Sequence, residues 1–281
     1  MIIRANCKIN IGLDVLRRRQ DGFHDLSTVM YPIFGLYDQV NVERIDSAQI
    51  EFLSKGLVID CPADKNLCVR AARLMQQRYS TPAVRITLNK MIPFGAGLGG
   101  GSADATAVIV AMNSIFELGL SEDRLISIAA ELGSDTAFFV RNTPQLCTAR
   151  GEVMNAIDLD LSHYHIAIIK PEVGVSTTQA YGGVKPQIPE TPLQELVTRP
   201  IEEWQGRVKN DFEPHIFEIY PILAQIKKEL LEAGALYAAM SGSGSTIYGI
   251  FEESDNSFKD LRSIEFGNGY KPLVMRLNNY I

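Results

Sequence analysis

Apolar and polar residues alternate cleanly over residues 7–14, CKINIGLD. Cys7, Ile9, Ile11 and Leu13 fall on one face, and Lys8, Asn10, Gly12 and Asp14 on the other. A period of two predicts a strand. The Asp21-Gly22 pair in RRRQDGF predicts a turn. VMYPIFGL, QVNVERI and AQIEFL read as three further strand segments. Asn66 is placed to cap a helix reaching about Tyr79, with Leu67, Ala71, Leu74 and Met75 on its apolar face. VRITLNK alternates again and ends before Pro93. ADATAVIVAMNSIF is apolar on nearly every side, which predicts a buried helix. Ser121, Glu122 and Asp123 open another helix, expected to stop at Gly133.

Residues 172–205 are richer in Pro, Gly, Thr and Gln and are expected to be mostly loop. YPILAQIKKELLEAGA predicts a helix with Pro221 in its first turn and Gly234 at its end. ALYAAMSGSGSTIYGIFE reads as strand, glycine-serine turn, strand, and KPLVMRLNN as a last strand. Strands and helices mix without a regular β-α-β alternation, so the expected class is α+β.

Composition narrows the function classes. The chain has 281 residues, enough for one large or two mid-sized domains. No apolar run reaches the roughly 18 residues that a membrane span needs, and MIIRANCKIN lacks a signal-peptide pattern. The net charge of −6 argues against a nucleic-acid partner. Cys7, Cys61, Cys68 and Cys147 form no CxxC pair and no cluster with histidine, so free thiols in a reducing cytoplasm are expected rather than structural zinc. His163 and His165 read as surface or strand residues.

The stretch IPFGAGLGGGSADA, residues 92–105, carries the candidate chemistry. Five of the seven positions from 95 to 101 are glycine. Glycine serves where φ is positive or where something approaches the backbone closely. A tight strand-to-helix turn would need only two or three. Gly95, Gly97 and Gly100 satisfy GxGxxG, but a dinucleotide fold needs a second strand ending in an acidic residue about 20 positions on. Here the next predicted element is a helix. A phosphate cradle fits better: successive amides feed a helix N-terminus, whose dipole favours anions. GxxxxGK[ST] is absent, so this is not a Walker loop. Ser102 is placed to cap the helix or to reach a phosphate or Mg²⁺. Asp104, expected in the first helical turn, would suit the dipole and repel a polyphosphate unless it faces away or meets the metal.

PFGAGLGGGSADA resembles the second motif of the GHMP kinases. ANCKINIGLDV and AAMSGSGSTIYGIF resemble their N-terminal and C-terminal motifs, in the family's order and across nearly the whole chain. CKINIGLDVLRRRQDGFHDL, ELGSDTAFFV and NDFEPHIFEIYP resemble the branch whose acceptor is a cytidine diphosphate carrying a branched tetritol. Two departures are visible: Cys7 where that branch has Ala, and Phe23 where Tyr is usual.

The resemblance implies a GHMP kinase fold, with an N-terminal domain (1–158) like ribosomal protein S5 domain 2 and a ferredoxin-like C-terminal domain (159–281). It implies Lys8 and Asp135 as the catalytic pair, with Asp135 accepting or orienting the acceptor hydroxyl. ATP with Mg²⁺ would lie along Gly95, Gly97, Leu98, Gly99, Gly100, Gly101, Ser102 and Ala103, with Asn66 and Lys90 near the adenosine. Phe23 and Tyr181 would sandwich the cytosine, His24 would read its edge, and Asn10 and Thr177 would meet the tetritol and diphosphate. Gly242, Ser243 and Gly244 would help position the acceptor. Metal ligands are not specified. The expected partners are ATP and this small-molecule substrate, with no nucleic acid and no membrane, in a cytoplasmic monomer or weak homodimer. Other alcohol acceptors (homoserine, mevalonate) and a silent nucleotide-binding regulator are the alternatives.

Overall fold

A computed structural model describes residues 1–47, 49–59, 61–253 and 261–277. Its contacts divide the chain into two compact units.

The first unit comprises Met1–Lys8, Leu36–Phe94 and Gly99–Thr143. It takes the first part of β1 (Ile2–Arg18) and the last part of β2 (His24–Arg44). Then follow β3 (Glu51–Gly56), α1 (Leu67–Tyr79), β4 (Val84–Lys90), α2 (Gly100–Ile115), α3 (Glu122–Ala130) and α4 (Ser134–Arg141). β4 pairs antiparallel with β2, Gln39 opposite Asn89 and Arg44 opposite Val84, and parallel with β3. The alternation in VRITLNK appears as strict alternation of burial along β4, but its half-exposed face still carries Arg85 and Asn89. Asn66 caps α1 as expected: its Oδ1 accepts the Cys68 amide at 2.9 Å. α2 packs against α1 and α4, and nearly every residue from Ala103 to Ile109 is buried, which is why it is apolar all round.

Two local expectations change. α3 stops at Ala130, and Gly133 caps the start of α4 instead of ending α3. VMYPIFGL and QVNVERI form one strand, β2, rather than two. Gly35 does not break it, because Met275 occupies the space where a side chain on Gly35 would stand. Ala48, at the head of the third expected strand, lies outside the described residues, as do the last two residues of KPLVMRLNN.

The second unit comprises Ile9–Gly35, Gly95–Leu98 and Pro144–Ile281. β2 pairs with β5 (Gln145–Ala149), which pairs with β6 (Val153–Ala156). After β7 (Tyr164–Ile169) come the short helices α5 (Thr177–Gly182) and α6 (Leu193–Leu196), then α7 (Glu213–Ile219) and α8 (Pro221–Glu232). β8 (Tyr237–Met240), β9 (Ile247–Glu252) and β10 (Leu273–Arg276) complete an antiparallel sheet in the order β10-β7-β9-β8. Its core gathers Ala167, Ile216, Leu223, Ile226, Leu230, Ala238 and Ile247. His165 is a buried residue of β7 rather than a surface one. Mostly antiparallel pairing, with β3-α1-β4 as a single parallel β-α-β unit among the described residues, makes the class α+β, as expected.

Candidate active site

In the first unit, Lys8 leaves β1 with its ammonium 3.3 Å from a carboxylate oxygen of Asp135. The lysine side chain is 4% exposed and the aspartate 35%. Asp135 sits in the first turn of α4, whose cap, Gly133, offers no side-chain oxygen. An acidic side chain there is favoured by the helix dipole. Neither Ser134 nor Asp135 is the cap of α4.

Two further contacts hold this pair in place. Asn6, two residues before Lys8, exchanges amide hydrogen bonds with Asn142 at the end of α4, at 2.7 and 3.1 Å. Thr106 of α2 shares its hydroxyl between the Ser102 carbonyl (3.0 Å) and the Thr136 carbonyl (2.7 Å), which ties the starts of α2 and α4 together. The sequence reading missed both. Each joins residues far apart in the chain, and neither has a local signature.

The glycine loop ends against the same lysine. Gly99 caps α2 at φ +70°, without a side-chain acceptor for the first helical amides. A side chain on Gly99 would press on the Lys8 stem and on the Phe139 ring, each 3.1 Å away. Close approach is thus what glycine serves here. Gly100, Gly101, Ser102 and Ala103 form the first turn of α2, so the amides of a helix start are set beside the Lys8–Asp135 pair.

Two expected features are corrected. Asp104 lies in the second turn of α2, buried, and is bonded to Lys90 at 2.8 Å. It presents no carboxylate to a phosphate at the helix start. Lys90, expected near the adenosine, is buried: its ammonium is 2% exposed and pairs with Asp38 as well as Asp104. Asp38 was not foreseen. Asn66 stays at the α1 cap and is nearly buried.

In the second unit, Gly95 and Gly97 both have positive φ. A side chain on Gly97 would collide with the Ser241 carbonyl, and the Ser241 hydroxyl donates to the Gly97 carbonyl at 2.9 Å. Leu98 is buried. The turn carrying Gly242, Ser243 and Gly244 joins β8 to β9, as read from the sequence, and its glycines have φ +56° and +89°. Asn210, before α7, donates to the carbonyls of Met240 and Gly242 at 2.8 Å each and accepts the Phe212 amide. Asn10 meets this turn: its amide donates to the Ser241 hydroxyl, its side chain to Thr28, and its Oδ1 lies where a side chain on Gly242 would begin.

The aromatic residues are arranged differently from the expected sandwich. His24 stacks on Tyr181, centroids 4.8 Å apart and planes at 19°, while Phe212 meets Tyr181 edge-on at 4.8 Å. Phe23 is 55% exposed, with the Arg150 guanidinium 5.2 Å from its ring centre. Its amide donates to Asp21 at 3.1 Å. His24, expected at the edge of a base, thus occupies one face of Tyr181. Thr177 begins α5 and is exposed.

Comparison with known proteins agrees with this geometry. Residues 66–143 match the GHMP kinases N terminal domain and residues 193–266 the GHMP kinases C terminal domain. The 4-diphosphocytidyl-2-C-methyl-D-erythritol kinase of Parabacteroides distasonis is 44% identical over 253 residues, covering 90% of this chain and 92% of that protein. The protein of the same name from Bacteroides fragilis is 42% identical over 261 residues, covering 92% and 95%. A crystal structure of 4-(cytidine 5'-diphospho)-2C-methyl-D-erythritol kinase superposes with a TM-score of 0.79 at 28% identity, covering 98% of both chains. The mevalonate kinase of Methanococcus jannaschii, 12% identical with a TM-score of 0.69 over 99% of this chain and 98% of its own, shares the fold. The chain belongs to the GHMP kinase family, and within it to the group of its 4-diphosphocytidyl-2-C-methyl-D-erythritol kinase relatives.

Proposed function

We propose that this protein is a small-molecule kinase that transfers the γ-phosphoryl group of ATP to the 2-hydroxyl of 4-diphosphocytidyl-2-C-methyl-D-erythritol, a step of non-mevalonate isoprenoid synthesis. The relatives at 40–44% identity over nine-tenths of the chain support this acceptor. The observation that carries the chemistry is the Lys8–Asp135 pair set beside the glycine-capped start of α2.

Each residue has a part in this reading. Asp135 accepts the proton of the acceptor hydroxyl as its oxygen attacks the γ-phosphorus; the bond to the β-phosphate oxygen breaks and ADP leaves. Lys8 holds Asp135 and offsets negative charge on the group in transfer. The loop and helix start at Gly95, Gly97, Leu98, Gly99, Gly100, Gly101, Ser102 and Ala103 receive the phosphates, and Asn66 and Lys90 belong to the nucleotide's side. Phe23, His24 and Tyr181 hold the cytosine, Asn10 and Thr177 the tetritol and diphosphate, and Gly242, Ser243 and Gly244 align the acceptor.

Mg²⁺ would enter with the nucleotide, because Mg²⁺ on ATP is held largely by phosphates and water; among the described residues no group of three acidic, cysteine or histidine side chains is placed to hold a metal ion. Bound there, Mg²⁺ would neutralise charge across the β and γ phosphates, with Ser102 the nearest candidate protein oxygen on the helix start. The expected halves, 1–158 and 159–281, do not coincide with the two compact units, because Ile9–Gly35, Gly95–Leu98 and residues 144–158 go with the second unit. Four free cysteines suit a reducing cytoplasm.

ADP release with Mg-ATP, measured separately with 4-diphosphocytidyl-2-C-methyl-D-erythritol, mevalonate and homoserine, tests the reading. Turnover with the cytidine compound alone is expected. Turnover with mevalonate or homoserine instead would overturn the acceptor assignment. Mg-ATP binding with no turnover on any acceptor would favour a silent regulator.

A further inference from the structure

Lys90 ends β4 two residues before Ile92, where the chain enters the glycine loop. Its ammonium is enclosed by Asp38 of β2 and Asp104 of α2. The second oxygen of Asp38 accepts the amides of Met91 (2.5 Å) and Ile92 (2.8 Å). Lys90 Nζ and the Ile92 side chain both stand 2.9 Å from where a side chain on Gly100 would begin. Asp104 follows Gly100 by one turn of α2, and its second oxygen is buried with no hydrogen-bond partner. Three ionisable side chains therefore join three segments: β2, the last residue of β4 with the chain after it, and the start of α2.

Stability alone does not explain this cluster. Burying ionisable groups away from water is costly, and an apolar cluster of similar volume is often as stable or more so. One oxygen of Asp104 is also left unsatisfied, which adds to the cost. What charges supply and apolar groups do not is directional placement. Here the placed atoms are the two amides at the loop's entrance and the backbone of Gly100 at its exit.

We propose that Asp38, Lys90 and Asp104 are positioning residues for nucleotide binding: they fix Ile92 and Gly100, and through them the aim of the amides at the start of α2. Lys90 acts from beneath the loop and does not touch the nucleotide. This rests on the reading that the glycine loop holds ATP, and it narrows the role given to Lys90.

The test uses Asp38→Asn and Lys90→Met in the full chain. Mg-ATP affinity is measured by calorimetry well below each variant's melting temperature, together with KM for ATP and for the acceptor. Both variants are expected to weaken Mg-ATP about tenfold, as a displaced positioning group does, with the acceptor KM unchanged. The double variant is expected to cost little more than either single one, because the residues act as a unit.

Mg-ATP binding retained in Asp38→Asn but lost in Lys90→Met would overturn the proposal and make Lys90 a direct ligand. Wild-type affinity in both variants, with only lower melting temperatures, would reduce the cluster to a structural role. If Lys90→Met does not fold, Asp38→Asn, which keeps the shape and removes one charge, decides between these outcomes. A wild-type protein that binds no Mg-ATP would instead sink the reading of the loop.

Discussion

Two lysines of the first unit each meet aspartate, and their surroundings differ. Lys8 meets one carboxylate, and that carboxylate is a third exposed. Lys90 meets two, and all three groups are sealed from water. The open pair can exchange a proton with a bound alcohol, because a small molecule can reach Asp135. The closed cluster can reach nothing outside the protein, so its influence passes through the backbone it holds. The difference separates chemistry from placement: similar residue types, packed against Gly99 and Gly100 in turn, serve one or the other according to access.

Removing the open lysine should have the largest effect. Lys8→Met is expected to lower kcat by about 10²–10³-fold, the range for losing one group that stabilises transition-state charge, while Mg-ATP affinity changes much less. Stopped-flow and steady-state ADP release check it. A loss confined to KM would place Lys8 among the binding groups instead.

Next is the acceptor side. Tyr181→Ala should raise KM for the cytidine substrate by about 10–100-fold, since stacking one base is worth roughly 1–3 kcal/mol. KM for ATP should not move. An unchanged acceptor KM would mean that the His24–Tyr181 stack is packing and no part of a base site.

A smaller effect should come from pH. Burial, with the charge of Asp38 adding to it and Lys90 opposing it, pushes the Asp104 carboxyl up to about 8. The groups around this cluster are Lys90, Asp38, the Cys68 thiol on α1 and the Cys7 thiol on β1, and burial pushes both thiols up. An acid whose folded pKa is raised binds more protons folded than unfolded. Its stabilising contribution is full below the unfolded value near 4 and is lost as pH rises through about 8. Melting temperature of the wild type relative to Asp104→Asn should therefore fall between about pH 4 and pH 8 and level off above that. A constant difference would show that Asp104 is ionised throughout.

Part of this contrast was legible in the sequence. Alternation over residues 7–14 put Lys8 and Asn10 on one face, the five glycines marked a loop leading into a helix, and Asn66 announced α1. These are local signals, read within one turn or one strand. Asp38 had none. It stands in the middle of β2, where a lone aspartate reads as a solvated edge, and its partner Lys90 is 52 residues away. Asn142 and Thr106 were hidden for the same reason: Asn142 pairs with Asn6 across 136 residues. The stacking of His24 on Tyr181 joins a hairpin tip to a short helix, and no periodicity reports that. Gly133 was misplaced because a glycine between two helices can end one or begin the next, and only the neighbouring backbone decides which.

The most direct test of the division between chemistry and placement is kcat and Mg-ATP affinity of Asp135→Asn, measured on one preparation with 4-diphosphocytidyl-2-C-methyl-D-erythritol as acceptor. The expected result is kcat reduced by about 10²–10⁴-fold with Mg-ATP bound as tightly as by the wild type. Wild-type kcat in this variant would contradict the assignment of the open pair to the proton transfer.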